Sequence, residues 1–486
     1  MANTPILVGV AQNEQRITDW QEHKEPLELM YDALQAAAID CGNPKILDAA
    51  TAVRVVRGRW PYTNPGAILR DQLGIPGAET AISQYGGNYV QSVVNQTALD
   101  IQSGAQKVVL ITGAECGNTQ AKARKAGAKL RWEAVGGAPD RVFGEEVPMA
   151  HEEELQCKIG APIQFYPLFE NALRHATGEN HAAHMQKVAE LWASFAAVAA
   201  NNPNAWLKKA VTAEEILNLS ATNRPVSHIY PKLMNSNNSV DQGAALIMCS
   251  TDTAKAMGIA EDRWVYLHAG TDAHDTYYVS NRDNLHSSPA IRHAGNRCLE
   301  LAGVEASNLG HVDLYSCFPV AVQVAARELG LTDRTPLTVT GGLTFAGGPL
   351  NNYVMHSVAT MAEVSRAQPD SKNLVTANGG YLTKHAFGVY SATPPEQPFR
   401  HEDVQARVNA EPTRELAENF TGTATTESFV VMYDGEGPAS GHVAALTDDG
   451  KRVWGSVFDR DAATQMTQHD YIDSPVRIAD RTASFD

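Results

Sequence analysis

The chain has 486 residues, 43% of them apolar and 19% charged, and a formal net charge of -16. At roughly 100–200 residues per domain this allows about two to four units, and the composition is that of a soluble globular protein, not a disordered or membrane-embedded one. The acidic excess excludes nucleic acid as the expected partner, since polyphosphate binding needs clustered Lys and Arg, but a local patch suffices for a ligand with only a few phosphates.

The opening "MANTPILVGVAQNEQ" lacks a basic leader and a small-residue cleavage site, so no signal peptide is expected. No stretch approaches the ~18 apolar residues of a membrane span. Cys41, Cys116, Cys157, Cys249, Cys298 and Cys317 show no CxxC spacing, so neither a zinc cluster nor a disulfide framework is expected, and a reducing cytoplasm is the natural compartment. In chain order, "PILVGVAQ" (5–12) reads as a central strand and "PLELMYDALQAAAIDCG" (26–42) as an amphipathic helix. Residues 86–115, "GGNYVQSVVNQTALDIQSGAQKVVLITGAE", run glycine pair, helix, buried strand, and residues 347–380 repeat that pattern. Between these repeats "WVYLHAG" and "SPAIRHAGNRCLELAGV" match the opening strand and helix. A duplicated set of alternating strands and helices predicts an α/β/α/β/α sandwich with pseudo-twofold symmetry, its halves at residues 1–260 and 261–395. Residues 119–232 break the pattern and read as an inserted helical loop domain. From 396 to 486, a proline-bearing linker, "SATPPEQPFRHED", leads into alternating apolar and polar residues around Asp-Gly turns, which predicts an antiparallel β-barrel of the OB type.

Four blocks then match one family in order: "NSNNSVDQGAALIMCS" (235–250), "YSCF" (315–318), "GGLTFAGGPLNNY" (341–353) and "NGGYLTKHAFGVY" (378–390). Over residues 5–392 the chain resembles the thiolase superfamily, and the added barrel narrows the resemblance to the nucleophile-less type 1 thiolase-like proteins. The resemblance implies coenzyme A thioesters as substrates, with no tightly bound cofactor, and a homodimer formed at an edge of the first sheet, with "KVVLITGAE" close to the interface. Where thiolases carry the acylated cysteine in C-G-S-G, this chain has Gly86-Gly87-Asn88-Tyr89; the histidine of the GHP turn is Gly348, and the cysteine of C-x-G is Asn378. Acyl transfer through an enzyme thiol needs a thiolate at a helix N-terminus, and glycine supplies none. Cys317 and Cys116 are either substitutes or small residues packed beside strands.

The catalytic candidates are therefore His385, Tyr315, Cys317 and Asn378. Histidine can act as acid or base near neutrality, and a phenol can donate to an oxyanion or, with a lowered pKa, take a proton. Tyr353, Tyr381 and Lys384 complete the polar set, and the backbone of Gly86, Gly87, Gly348 and Gly380 either lines an oxyanion hole or merely turns the chain. Lys122, Arg124 and Lys125, with Lys129 and Arg131 beyond them, are candidates for the coenzyme A phosphates. No metal site is expected. Three functions remain open: an acyltransferase of the acetyl-CoA acetyltransferase kind, a retro-aldol lyase acting on β-hydroxyacyl-CoA, and a non-catalytic binder of CoA thioesters.

Overall fold

Two halves with one strand order build the body of the computed structural model, which describes residues 3–132 and 136–485. The first runs β1 (Pro5–Glu14), α1 (Pro26–Asp40), β2 (Ala52–Val55), β3 (Glu79–Ser83), α2 (Tyr89–Gln102) and β4 (Val108–Cys116). It then passes through α3 (Gly117–Lys125), β5 (Arg141–Phe143), α4 (Pro162–Ala176) and α5 (His181–Asn201) before closing with β6 (Asp241–Ser250). The second runs β7 (Val265–His274), α6 (Pro289–Ala302), β8 (Val312–Asp313), α7 (Pro319–Glu328), α8 (Tyr353–Ala367), β9 (Asn373–Gly379) and β10 (Lys384–Ser391). The orders β2-β4-β6-β1 and β8-β9-β10-β7 are the same order twice, and the two sheets meet only where Ile6 faces Tyr266 and Leu7 faces Val265.

The duplicated helices α2 and α8, both beginning at the repeated NYV, pack against strands of both halves, while α1 and α6 cover the outer faces. The five-layered sandwich predicted from the repeat is therefore present. A helix in the central layer has no solvent face, and α2 buries Tyr89, Val90, Gln91, Val93, Val94, Asn95, Ala98 and Ile101 around its circumference. Its buried amides are paired: Gln91 donates to Asn95 Oδ1 (2.8 Å) and accepts from Tyr390 Oη (2.8 Å), and Asn95 donates to Asp272 (3.0 Å). The close approach requires Gly388 on β10, where a Cβ would stand 2.3 Å from Gln91 Nε2.

Two expectations need correction. Strand β4, "VVLITGAEC", is buried throughout between β2 and β6, not beside an edge; the outer partner of β3 is β5, contributed by the insertion. The linker is also structural, because β11 (Arg400–Asp403) pairs in parallel with β7. These pieces of three and four residues carry too little periodicity to be read from sequence. The predicted barrel is present: β12 (Gly422–Asp434), β13 (Gly437–Leu446), β14 (Arg452–Val457), β15 (Pro475–Ala479) and β16 (Thr482–Ser484) close in the order β12-β13-β14-β16-β15, antiparallel but for one pair, Ser456 opposite Thr482. Buried Arg452 ties it to the body: it holds Glu427 through two 2.7 Å bonds and donates to the carbonyl of Ser280 (2.9 Å). Among the described residues no helix is long and apolar enough to cross a membrane.

Candidate active site

The turn between β3 and α2 brings Gly86 and Gly87 against the ends of β8, β9 and β10. A Cβ on Gly87 would lie 2.5 Å from both Tyr315 Oη and the Asn378 carbonyl, and one on Gly86 would lie 2.5 Å from Asn88 Oδ1 and 2.9 Å from Lys384 Nζ. The space a nucleophile's side chain would need is thus filled by a phenol, an amide and an ammonium group. Among the described residues, the N–H groups of Gly86 and Gly87 donate no hydrogen bond. Gly348 differs, because its N–H is bound to the Asn237 carbonyl (2.9 Å). Gly380, at φ +72° with the Met149 methyl where its Cβ would be, is glycine for turn geometry and space.

Tyr315 follows β8 and is half-buried; its N–H donates to Thr376 Oγ1 (2.8 Å), and no protein group among the described residues bonds its hydroxyl. Burial raises its pKa well above the ordinary value, so at neutral pH it is a proton donor and not a base. Tyr353 stands edge-on to it, ring centroids 5.6 Å apart at 88°. Its own hydroxyl is committed to Asp313 (2.9 Å) and Thr340 Oγ1 (2.6 Å). Asp313, fully buried, also accepts from Ser357, Thr338 and the N–H of Val339. Tyr353 therefore positions Tyr315. Tyr381 is spent on the Gly160 carbonyl (2.6 Å) and packs on Phe165, centroids 4.4 Å apart.

Cys317 is buried, its thiol pushed up to about 12 by burial, and it receives a contact from Asn378 Nδ2 at 3.7 Å. It is no thiolate at any physiological pH. Cys116 is likewise buried with a strongly raised pKa, and all six cysteines are free and buried. Asn378 Nδ2 donates to Tyr166 Oη (3.0 Å), whereas its Oδ1 is buried without a partner among the described residues.

Strand alternation separates the side chains of β10. Along β10, Lys384, Gly388 and Tyr390 face α2, while His385 and Phe387 face away toward α6. His385 bonds the Leu382 carbonyl (3.2 Å), lies 3.8 Å from Asp275, and is pushed down to about 4 by burial. His385 therefore lies on the face of β10 away from Lys384, opposite Asn378, and lines a small void with Asn378 and Tyr315. Lys384, one residue earlier, faces the glycine turn. From sequence Lys384 is one of several polar side chains with no assigned role; an ammonium opening a fully buried strand is the available signal. Its Nζ donates to the Tyr85 carbonyl (2.9 Å), stands 4.9 Å above the Tyr89 ring, has no carboxylate within ion-pair distance among the described residues, and is lowered to about 8 by burial.

The basic segment divides. Lys122 is bound to the Ile17 carbonyl and Lys125 points to solvent outside the cleft that Arg124 lines with Lys129 and Arg131. Neither Lys122 nor Lys125 lines that cleft.

Comparisons with known proteins agree with this architecture. A family model described as the thiolase-like protein type 1 additional C-terminal domain matches residues 403–481. An acetyl-CoA acetyltransferase of Methanocaldococcus jannaschii is 24% identical over 243 residues, 49% of this chain and 53% of that protein; the chain spans about half the length of the curated relatives it matches. The solved Ltp2-ChsH2(DUF35) aldolase shares the fold, at 18% identity and a TM-score of 0.60, over 80% of this chain and 98% of that one. The crystal structure of a monomeric SCP2-thiolase like protein type 1 from Mycobacterium smegmatis aligns over 100% of both chains, with a TM-score of 0.84 and 31% identity. With body, insertion and barrel all matched at that identity, the chain belongs to the SCP2-thiolase-like proteins of type 1.

Proposed function

We propose that this protein acts on coenzyme A thioesters by polarising the thioester carbonyl, and that it cleaves the Cα–Cβ bond of a β-hydroxyacyl-CoA without forming an acyl-enzyme. The observation that carries this reading is the Tyr315 hydroxyl, protonated and without a protein partner, set against Gly87 in the place where a nucleophile's side chain cannot fit. Tyr315 and the free N–H groups of the glycine turn hydrogen-bond the thioester oxygen. Lys384, in its neutral form, takes the β-hydroxyl proton; the Cα–Cβ bond breaks, its electron pair becomes the enolate held by Tyr315, an aldehyde or ketone leaves, and the Lys384 ammonium returns the proton to Cα. The solved aldolase of the same fold is consistent with such chemistry.

Acyl transfer is the second reading, favoured by the curated acetyltransferase relatives, but it needs a thiol this site does not offer. A homodimer through the β3 edge would have to displace β5, and the Mycobacterium smegmatis relative is described as monomeric. The barrel we read as OB-like, on its five closed strands and the short helix Arg460–Met466 between the third and fourth.

A substrate panel tests the reading. β-Hydroxyacyl-CoA is expected to release a carbonyl product, and acetoacetyl-CoA with CoA to give no thiolysis. Because Lys384 must be neutral, kcat/KM is expected to climb about tenfold per pH unit below pH 8 and level off above it, and Lys384→Met to abolish the climb. Thiolysis, or a pH profile indifferent to Lys384, counts against it.

A further inference from the structure

The repeated NYV places an asparagine at the N-cap of both central helices, Asn88 before α2 and Asn352 before α8. An asparagine there ordinarily turns its side-chain oxygen onto a free N–H of the first helical turn. Neither does so. Both are buried, and each lays its amide oxygen against a strand glycine of the opposite half: a Cβ on Gly379 would stand 2.4 Å from Asn88 Oδ1, and one on Gly113 would stand 2.4 Å from Asn352 Oδ1. The pseudo-twofold breaks at the amide nitrogen. Asn352 Nδ2 donates to the Gly113 carbonyl (2.7 Å), whereas the Gly379 carbonyl is taken by the Thr383 N–H (3.3 Å) in the turn to β10, and the Asn88 carboxamide makes no hydrogen bond among the described residues. A carboxamide 5% exposed and unpaired is costly to keep in a folded protein. This one adjoins Lys384, since the point a Cβ on Gly86 would occupy is 2.5 Å from Asn88 Oδ1 and 2.9 Å from Lys384 Nζ.

We propose that Asn88 recognises the β-hydroxyl of the substrate, its amide Nδ2 donating to the hydroxyl oxygen whose proton Lys384 takes. The inference rests on the reading that a β-hydroxyacyl-CoA is cleaved here, and it names the group that tells this substrate from a thioester without the hydroxyl. As the proton passes to Lys384 Nζ and the Cα–Cβ electron pair leaves for the enolate, the same oxygen gathers negative charge before it becomes the carbonyl of the departing aldehyde or ketone. A donor fixed on that oxygen therefore acts in the transition state as well as in binding. A buried polar group that only the substrate's hydroxyl satisfies rejects the analogue lacking it, because the group is then left unpaired.

The test uses the full-length protein with β-hydroxybutyryl-CoA and butyryl-CoA, which differ only in the hydroxyl. Asn88→Ala is expected to lower kcat/KM for β-hydroxybutyryl-CoA about 10- to 100-fold. Calorimetry on Lys384→Met, which holds the substrate without cleaving it, is expected to show β-hydroxybutyryl-CoA binding about tenfold or more tighter than butyryl-CoA, and adding Asn88→Ala should erase that preference while leaving the affinity for butyryl-CoA within about twofold. A merely structural role would show in the thermal melt instead. Asn88→Ala should hold Tm, since it strands no partner, whereas Asn352→Ala should lower it by giving up the bond to Gly113. Should Asn88→Ala fail to fold, Asn88→Ser, too short to reach the hydroxyl, repeats both measurements. Cleavage by the parent with the Asn88 variant at the parental rate, or equal affinity of Lys384→Met for the two thioesters, overturns the assignment and leaves the proposed reaction intact. An Asn88-dependent preference for the hydroxylated thioester without cleavage by the parent supports the assignment and sinks the reaction.

Discussion

Replacing Tyr315 with phenylalanine is expected to lower kcat/KM for β-hydroxyacyl-CoA cleavage by about 10²–10³-fold, the usual loss for one oxyanion donor. The hydroxyl makes no hydrogen bond to the described protein, so its removal strands no partner and should leave thermal stability nearly unchanged. The ring keeps its edge-on contact with Tyr353. Gly87→Ala reaches the same group by another route, since its methyl would stand 2.5 Å from Tyr315 Oη. A Tyr315→Phe rate within about twofold of the parent would remove the phenol from the mechanism, because such a change is far below the value of an oxyanion donor.

Acidification is expected to destabilise the fold sharply between pH 6.5 and about 4. His268, His356, His385 and His442 are all buried, and burial lowers each from its ordinary value to about 4. Below pH 6.5 the unfolded chain takes up protons that the native state refuses, so stability falls as pH falls through this window. Each displacement corresponds to roughly 3 kcal/mol, and four of them approach the whole stability of a typical domain, about 5–15 kcal/mol. Three lie in the sandwich and His442 in the barrel, so both regions should be affected. His184 has the opposite sign: burial lowers it, but hydrogen bonds to Glu170 (2.6 Å) and Glu179 (2.8 Å) raise it overall. Its contribution is present below about pH 6.5 and is lost as pH rises through the raised native value, and one such histidine does not offset four. Thermal melts at a series of pH values check this. Tm should drop steeply below pH 6, and His385→Asn should flatten the dependence; equal Tm at pH 7 and pH 4.5 would contradict it.

The fold was legible where pattern persisted over many residues. The repeated helix after each NYV, the long apolar strands and the Asp-Gly turns were all there to be read. The pieces that were not legible, β5 and β11, are three and four residues long, and what fixes them is a vacant sheet edge, which is a property of the assembled fold. In the candidate site the distinctions are finer. His385 and Lys384 are adjacent, and the period of two in a strand puts them on opposite faces. In the basic segment the helix turns Arg124 into the cleft and Lys122 onto a carbonyl, a difference that the sequence of charges alone does not carry. Gly348 is set apart from Gly86 and Gly87 by the bond from its N–H to Asn237, more than a hundred residues away in sequence. The loss of the acylated cysteine was visible from the glycine pair, and that of the C-x-G cysteine from Asn378.

Intact-mass spectrometry during turnover reaches the central question most directly. With β-hydroxyacyl-CoA or acetoacetyl-CoA present, the polypeptide should keep its unmodified mass while carbonyl product accumulates from the former. A population carrying an added acyl group on any cysteine, formed and consumed at the rate of turnover, would contradict the account.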